Sequence, residues 1–385
     1  LIFLLAFLIG AFIYNADEIS SKDELDISFS AKGGLYDESF YLELKAAPKV
    51  DIYYTLDGSI PTTASKKYEG PLLISDASLN ENNFCLNTDI SAGFDLEYIR
   101  ENCPDVNPGY KIPSEKIEKC TVVRAVAVEK HNADNMGDVK TQCYFVGFQN
   151  KEGFQNVYMV CLNGDYDEFF SDERGILVLG DAFERYRNSE KWDNERVIRG
   201  GSWENFDGNF REDLQASINV ECFDYQGKEL LNEEAFAKVK GNTSVSYAQK
   251  SLKIELSDNK HKLFSDNKLN SFCIEACGQD GISFMRDKIV NDLCKNEDYL
   301  TRNYIPCCLF LNGEYWGYYY LAEKYDAVAH FWTYKPYTSA ELHKRYKEVA
   351  KVTFVPYIFG VGEPALFGFP MVMNFTFFIP LIYNG

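Results

Sequence analysis

A short loop near the middle of the chain has the residue types that hold phosphate groups. Residues 241–244 read Gly-Asn-Thr-Ser, and the strand that starts at Ser251 is preceded by Lys250. Successive backbone N–H groups in such a turn can form a concave anion site, and a nearby ammonium would add positive charge. The spacing therefore permits phosphate binding. A lysine on the solvent face of a strand is the alternative, and the sequence alone leaves both open.

The cysteines are the second set of reactive side chains. There are eleven, an odd number, and no two have C-x-x-C spacing. A zinc ribbon or a thioredoxin-like motif is therefore disfavoured, and no metal site is predicted. Cys85, Cys103 and Cys120 fall in one segment, which favours a disulfide if the protein is exported. Cys143 and Cys161 lie in apolar strand-like runs, as does Cys222, which favours buried thiols instead.

Length and charge limit the classes of protein to consider. The 385 residues are enough for two or three domains, and 46% hydrophobic residues indicate folded globular material. With 58 acidic against 39 basic residues the net charge is −19. A chain this acidic lacks the basic footprint of a nonspecific nucleic-acid binder, so no nucleic-acid partner is expected.

Both ends of the chain are apolar. Residues 1–14 are apolar and the polar stretch begins at Asn15, so we interpret residues 1–16 as the remnant of a signal peptide or membrane anchor. A buried core helix is the alternative. Residues 352–385 carry one charge, Glu363, and residues 365–383 carry none. This composition predicts a membrane-type helical or re-entrant tail at 339–385. We expect an extracytoplasmic protein, attached to the membrane or the cell surface.

Residues 27–147 have the pattern of a small antiparallel β-sandwich. Strand-like runs at 52–55, 121–128 and 141–146 are separated by turn signals such as Asp57-Gly58. The phrases YTLDGSIPT (54–62) and TVVRAVAV (121–128) resemble the β-sandwich module found at the C-terminus of chitobiases and β-hexosaminidases. Residues of about 76–119 look like an insertion in that module. The resemblance implies a spacer or accessory role, with a carbohydrate or cell-wall surface as partner.

Residues 155–327 alternate strands with helical segments. Strands are predicted at 157–162, 175–179, 216–223 and from Ser251, and a hairpin turns at residues 312–314. A helix is predicted at 284–293, with Met285, Ile289 and Leu293 as its buried stripe. A mixed α+β domain follows from this order of elements.

Three phrases in this region resemble the CotH family of atypical protein kinases. They are VKGNTSVSYAQKSLKIEL (239–256), FMRDKIVNDL (284–293) and FLNGEYWGYYYLAEKYD (310–326). The resemblance implies a divergent kinase-like α+β fold that uses ATP and Mg²⁺ to phosphorylate serine in exported proteins. It implies that Lys250 pairs with nucleotide phosphates, and that Arg286 and Glu323 hold the site. Lys240 stands where the family usually has an arginine, which weakens bidentate recognition of phosphate.

The acids that should complete this site are missing. Phosphoryl transfer needs one carboxylate to position the hydroxyl group and another to hold Mg²⁺. After Asp326 the chain has no aspartate, and its remaining acids are Glu341, Glu348 and Glu363. No catalytic or metal-binding residue is therefore assigned, and we expect a truncated, inactive kinase-like domain. A surface protein with a binding or scaffold role is the alternative.

The last segment has a different origin. Its phrase GEPALFGFP (362–370) resembles the sugar-permease subunit of lactose/cellobiose-type bacterial phosphotransferase systems. The resemblance implies a membrane component of sugar transport in which Glu363 accepts sugar hydroxyl groups. We interpret the join, near 327–340, as a chimera of two unrelated reading frames. A genuine fusion with a membrane tail is the alternative.

Overall fold

The computed structural model describes residues 25–87, 89–90, 112–191, 207–257, 263–264, 270–278, 280, 283–295 and 301–324. The chain forms two compact units. One comprises residues 1–279 and 305–321, and the other residues 280–304 and 322–385. The predicted anchor at 1–16, the tail at 339–385 and Cys103 lie outside the described residues. Within the described part of the chain, no helix has the length and apolarity needed to cross a membrane.

The N-terminal part of the first unit is built from ten short strands. They are β1 (Ser28–Phe29), β2 (Gly34–Tyr36), β3 (Phe40–Leu42), β4 (Leu44–Lys45), β5 (Val50–Thr55), β6 (Lys66–Lys67), β7 (Leu72–Ile74), β8 (Thr121–Glu129), β9 (Asn132–Met136) and β10 (Lys140–Val146). The main sheet has the order β2-β10-β8-β5-β6, with β9 paired to β8, and two small pairs, β1–β4 and β3–β7, lie apart from it. The strands predicted at 52–55, 121–128 and 141–146 are confirmed.

Apolar residues that alternate along these strands form one core. Leu42 and Ile74 from the small pair pack with Ile52, Val123 and Tyr144 from the main sheet. The β10–β2 pair is parallel, so the predicted wholly antiparallel sandwich needs that correction. A crossover long enough to allow parallel pairing is present, because more than 100 residues separate the two strands.

Seven further strands close into a barrel. They are β11 (Tyr158–Asn163), β12 (Ala216–Phe223), β13 (Glu229–Lys240), β14 (Ser251–Leu256), β15 (Ser271–Glu275), β16 (Tyr304–Leu311) and β17 (Glu314–Glu323), in the order β11-β12-β13-β14-β15-β17-β16. Their inward side chains form the largest core of the molecule, including Val160, Ile218, Leu252, Leu309 and Tyr319. Asn312 and Gly313 both have positive φ, 47° and 86°. The predicted hairpin turn is therefore confirmed as a type I′ turn.

The described helices are short. They are α1 (Tyr166–Phe170), α2 (Gly180–Arg187) and α3 (Arg286–Cys294). Single 3₁₀ turns lie at Ala77–Leu79, Phe84–Leu86, Phe148–Asn150, Asn209–Arg211 and Thr243–Ser246. The described part of 155–327 is thus mainly β-structure, and the α+β expectation is corrected to a β-barrel with short connecting helices. A closed barrel satisfies the backbone groups of every strand without covering helices.

Two predicted elements differ from the structure. Residues 175–179 are buried but form no strand, because their N–H groups bond to α1 and the insertion: Ile176 to the Glu168 carbonyl at 3.1 Å and Leu179 to the Asp89 carbonyl at 2.8 Å. The predicted buried stripe of α3 is wrong. Met285, Ile289 and Leu293 are 52%, 46% and 53% exposed, and the less exposed side carries Arg286, Val290 and Cys294 instead.

The sandwich and the barrel share a third core. Phe145 of β10 packs edge-to-face on Phe310 of β16, with 5.1 Å between ring centroids, and on Phe223 of β12 at 5.7 Å. Phe148 and Tyr315 join the same cluster. These aromatic contacts bury the end of one sheet against the barrel wall, so the two form a single compact body.

Candidate functional site

The loop singled out by its sequence lies between β13 and β14. Gly241 follows β13 directly and has φ 138°, a conformation that favours glycine. The 3₁₀ turn Thr243–Ser246 comes next, and Lys250 immediately precedes β14. The connection between β13 and β14 is therefore a compact turn that needs glycine at its first position.

Lys250 does not face solvent. Its side chain is 1% exposed, so the alternative of a solvated strand lysine is wrong. The ammonium donates hydrogen bonds to the carbonyl oxygens of Ile90 and Tyr247, both at 2.6 Å. It also lies 4.3 Å from the centroid of the Phe210 ring. This lysine is thus held by two main-chain acceptors and one aromatic face.

Burial governs the charge of this group. Burial, and secondly the nearby charge of Arg211, lower the pKa of Lys250 to about 7, while Asp89 acts in the opposite direction. Burial likewise raises the pKa of Asp89. A lysine that titrates near neutral pH can gain or lose its proton under physiological conditions.

The insertion closes this end of the barrel. Phe84 and Ile90 are buried in the barrel core, and the Asp89 carboxylate accepts a hydrogen bond from the Gly180 N–H at the start of α2, 3.2 Å away. Glu314, in the hairpin of the barrel, accepts bonds from the N–H groups of Asn83 and Cys85 at 2.7 and 3.0 Å. Contact between a phosphate and the Lys250 ammonium would require the groups that bury this side chain to move.

A separate cavity lies beside the Lys250 niche. It has a volume of about 340 Å³ and is lined by Arg185, Lys191, Asp207, Arg211 and Glu212. Arg211 links the two sites, because its guanidinium donates to the Ser246 hydroxyl of the loop at 3.0 Å. The size is at the lower end for small-molecule pockets, and three of the lining residues are cationic.

The side chains of Lys240 and Glu323 have partners of their own, and Arg286 is held through its backbone N–H. The Lys240 ammonium forms an ion pair with Glu275. In the second compact unit, the Arg286 N–H donates to Asp280 Oδ2 at 2.8 Å, and the buried Glu323 carboxylate accepts from the Asn303 N–H at 3.0 Å. The nucleotide-binding roles of Lys240, Lys250, Arg286 and Glu323 stay predictions. Glu363 lies outside the described residues.

Sequence reasoning missed the residues that surround Lys250. Asp89 and Ile90 come from the insertion and Phe210 and Arg211 from a connection between α2 and β12. None belongs to a recognisable motif. The apolar residues of the insertion are scattered among acids and asparagines, so its sequence carries no clear signal of burial.

Comparison with known proteins divides the chain into three regions. Residues 42–144 match the family model described as Fn3 associated, residues 237–349 match that of CotH kinase protein, and residues 330–385 match that of the phosphotransferase system EIIC. The three-part resemblance predicted from the sequence is confirmed. The kinase-like and EIIC regions are both present, and their matches overlap at residues 330–349.

Curated relatives match one short stretch. The galactose-specific EIIC component of Lactococcus lactis is 50% identical over 41 residues, and the lactose-specific EIICB component of Staphylococcus epidermidis is 52% identical over 40. The lactose-specific EIICB component of Streptococcus mutans is 54% identical over 39 residues. These alignments cover 10–11% of this chain and 7–9% of each relative. The chain thus spans less than a tenth of the length of these proteins.

Proposed function

We propose that this chain is an exported bacterial surface protein whose kinase-like region does not transfer phosphate in its present form. One observation supports this above all. The lysine that should pair with nucleotide phosphates is buried, and its ammonium is held by the carbonyls of Ile90 and Tyr247. Nucleotide would have to displace the insertion before it reached this group.

The acidic residues give independent support. ATP reacts when Mg²⁺ bridges its phosphates and a carboxylate holds the metal. No aspartate follows Asp326 in this chain, and Glu323 directs one carboxylate oxygen to a backbone N–H. Binding of ATP with Mg²⁺ therefore remains a proposal taken from the family, and turnover is not expected.

A phosphorylation assay tests this proposal. The full chain is incubated with γ-labelled ATP, Mg²⁺ and a serine-rich peptide, beside a Lys250→Ala variant and its matched control Lys238→Ala. Lys238 lies on the neighbouring strand in an ion pair with Asp213. We expect the same background incorporation from all three proteins. The proposal would be overturned if the parent incorporated phosphate into the peptide, the Lys250→Ala variant did not, and the Lys238→Ala variant still did.

A second candidate function is recognition of a cell-surface polysaccharide. A groove of about 760 Å³ lies between the sandwich and the barrel, lined in part by Arg124, Gln142, Asn219, Glu229 and Asn232. Glu229 Oε2 is buried and has no hydrogen-bond partner among the described residues. Carboxylate and amide groups pair well with sugar hydroxyls, and residues of both kinds line this groove.

Co-sedimentation with insoluble cell-wall polysaccharide tests this second candidate. We expect the full chain to sediment and Glu229→Gln to bind at least several-fold more weakly. Glu43→Gln is the matched control, because Glu43 lies outside the groove in an exposed pair with Lys45. Equal sedimentation of all three proteins, or none by the parent, would exclude the groove as a sugar site.

A role in sugar transport rests on the C-terminal region alone. The EIIC match begins at residue 330, and we propose that this segment was joined to the surface protein as a chimera. Sequencing the source DNA across codons 320–345 tests the join. One uninterrupted reading frame would establish a genuine fusion, and sugar binding that depends on Glu363 would then be the property to measure.

A further inference from the structure

Three cysteines that are far apart in sequence meet at the junction of the sandwich and the barrel. Cys120 precedes β8, Cys143 lies in β10, and Cys161 lies in β11. All three are buried, and their sulfur atoms lie within 4.8 Å of one another. None of the three forms a disulfide. A group of three converging thiols is a donor set for soft metal ions.

The distance between two of the sulfurs fits a shared metal ion. Cys120 Sγ and Cys161 Sγ are 3.8 Å apart. In a tetrahedral site with zinc–sulfur bonds of about 2.3 Å, neighbouring sulfurs are separated by about 3.8 Å. A disulfide bond would require about 2.0 Å. The present spacing is too long for a covalent link, and it is compatible both with coordination and with a hydrogen bond between the two thiols.

A buried carboxylate lies next to two of these cysteines. Glu221 lies opposite Cys161 in the β11–β12 ladder and is fully buried. Its Oε2 accepts a hydrogen bond from the Cys143 N–H at 3.0 Å, while its Oε1 has no hydrogen-bond partner in the described part of the chain. An unpaired, fully buried carboxylate oxygen is costly, and a bound cation would account for it.

The surroundings also suit a bound metal. The Asn163 amide donates to Cys143 Sγ at 3.3 Å, the kind of second hydrogen bond that orients metal ligands. Phe145, Phe223 and Phe310 belong to the same buried cluster as the three cysteines. This apolar wall keeps water from the sulfurs, so a metal would enter during folding rather than afterwards.

We propose that Cys120, Cys143 and Cys161 bind a structural zinc ion that joins the sandwich to the barrel, with Glu221 turning its Oε1 towards the metal as the fourth ligand. Three thiolates and one carboxylate give the complex the same net charge as a four-cysteine zinc site. Binding replaces the protons of these groups by one Zn²⁺ ion, so the thiol protons pass to solvent. The site is independent of the kinase-like residues and of the proposed surface function.

Metal content of the unmodified full chain is the first test. The protein is purified with a reducing agent, dialysed against a chelator and analysed by elemental mass spectrometry. We expect about one zinc per chain, which the chelator removes only after denaturation. A folded protein without zinc, which takes up none when refolded with Zn²⁺, would overturn the proposal. So would a Cys120–Cys161 disulfide found by peptide mapping of protein purified without the reducing agent.

Variants then assign the ligands. Cys161→Ser should lower zinc affinity at least tenfold, and Glu221→Gln should lower it by about ten- to a hundredfold. Cys222→Ser is the matched control, because Cys222 is a buried thiol on β12 whose side chain packs in the barrel core. Equal zinc content in the Cys161→Ser and Cys222→Ser variants would contradict the assignment.

Cobalt substitution covers the case in which a cysteine variant fails to fold. The unmodified chain is refolded with Co²⁺ in place of Zn²⁺. We expect the intense sulfur-to-cobalt charge-transfer absorption of thiolate ligands and the visible bands of tetrahedral cobalt. Absorption typical of cobalt bound to oxygen alone would refute the site without reference to any variant.

Discussion

Replacing Lys250 by methionine tests whether the buried ammonium limits the stability of the fold. The pKa of this group falls from the ordinary 10.5 to about 7 on folding, mainly through burial. Each pH unit of difference is worth roughly 1.4 kcal/mol. Keeping the lysine buried therefore costs about 5 kcal/mol at pH 7 and below. Methionine has a similar length and carries no charge, so Lys250→Met removes that cost.

The substitution also has an opposing effect. It leaves the carbonyls of Ile90 and Tyr247 without the donor they now share. A buried acceptor that loses its partner costs about 1–3 kcal/mol. Near pH 7 the two effects nearly cancel, and the variant should be about as stable as the parent. Near pH 10 the two lost hydrogen bonds dominate, and the variant should be about 2–6 kcal/mol less stable.

The sign of the pH dependence follows from proton binding. Between pH 7 and 10.5 the unfolded chain keeps the Lys250 proton and the folded chain has lost it. Stability of the parent therefore rises with pH across this window, and the contribution is most unfavourable below pH 7. Lys250→Met lacks this dependence. The difference in unfolding free energy between the two proteins should grow by about 1 kcal/mol per pH unit.

Urea unfolding at pH 7.5, 8.5 and 9.5 measures that difference. Groups that titrate in both proteins contribute equally to the two unfolding free energies, so their contributions cancel in the difference. Lys238→Met is the matched control, because its ammonium lies in an ion pair at the surface of the neighbouring strand. A difference between parent and Lys250→Met that stays flat across the three pH values would refute the reasoning. A similar slope with Lys238→Met would refute its assignment to Lys250.

Three further substitutions test the contacts that hold the first unit together. Glu314→Gln should cost about 1–3 kcal/mol, because the carboxylate accepts from two N–H groups of the insertion. Phe145→Ala should cost about 3–5 kcal/mol in one cooperative unfolding transition, since its ring packs on both sandwich and barrel. Gly58→Ala should cost about 1–3 kcal/mol, because Gly58 has φ 82° and an added Cβ would collide with Asn312. Urea unfolding measures all three.

Each of these variants has a control in the sandwich. Glu43→Gln alters an exposed acid, Tyr41→Ala removes a ring that is 69% exposed, and Gly70→Ala adds a Cβ with no atom within 4 Å. Exposed changes of this kind should stay within about 0.5 kcal/mol. Losses as large as those of the paired variants would show that the named contacts do not explain the effect. Two separate transitions in Phe145→Ala would contradict a shared core.

Local pattern predicted the strands and the hairpin well. The alternation at 216–223 and the Asn-Gly pair at 312–313 depend on neighbouring residues, and the structure has a strand and a type I′ turn at those positions. The sequence pattern was a poor guide where the packing partners of a segment are distant in the sequence. The spacing of Met285, Ile289 and Leu293 identifies a helix face but cannot say whether another element covers it, and in the described structure that face is exposed.

The sites were harder to predict than the elements. Lys250 was identified, but its acceptor Ile90 lies 160 residues earlier, in an insertion without a motif. The three clustered cysteines are separated by 22 and 17 intervening residues, and none belongs to the closely spaced C-x-x-C pair that marks a zinc motif. Such sites depend on which strands meet in three dimensions, and a single sequence does not contain that information.

The aromatic contacts between the sandwich and the barrel have a mechanical consequence. Because Phe145 and Phe148 press on the barrel wall through Phe310, the junction cannot act as a hinge. A pulling force applied to the sandwich would be transmitted directly to the barrel strands, because no flexible linker lies between the two at this contact. Under force, the short β1–β4 and β3–β7 pairs should therefore separate first, while the aromatic contacts between sandwich and barrel stay intact.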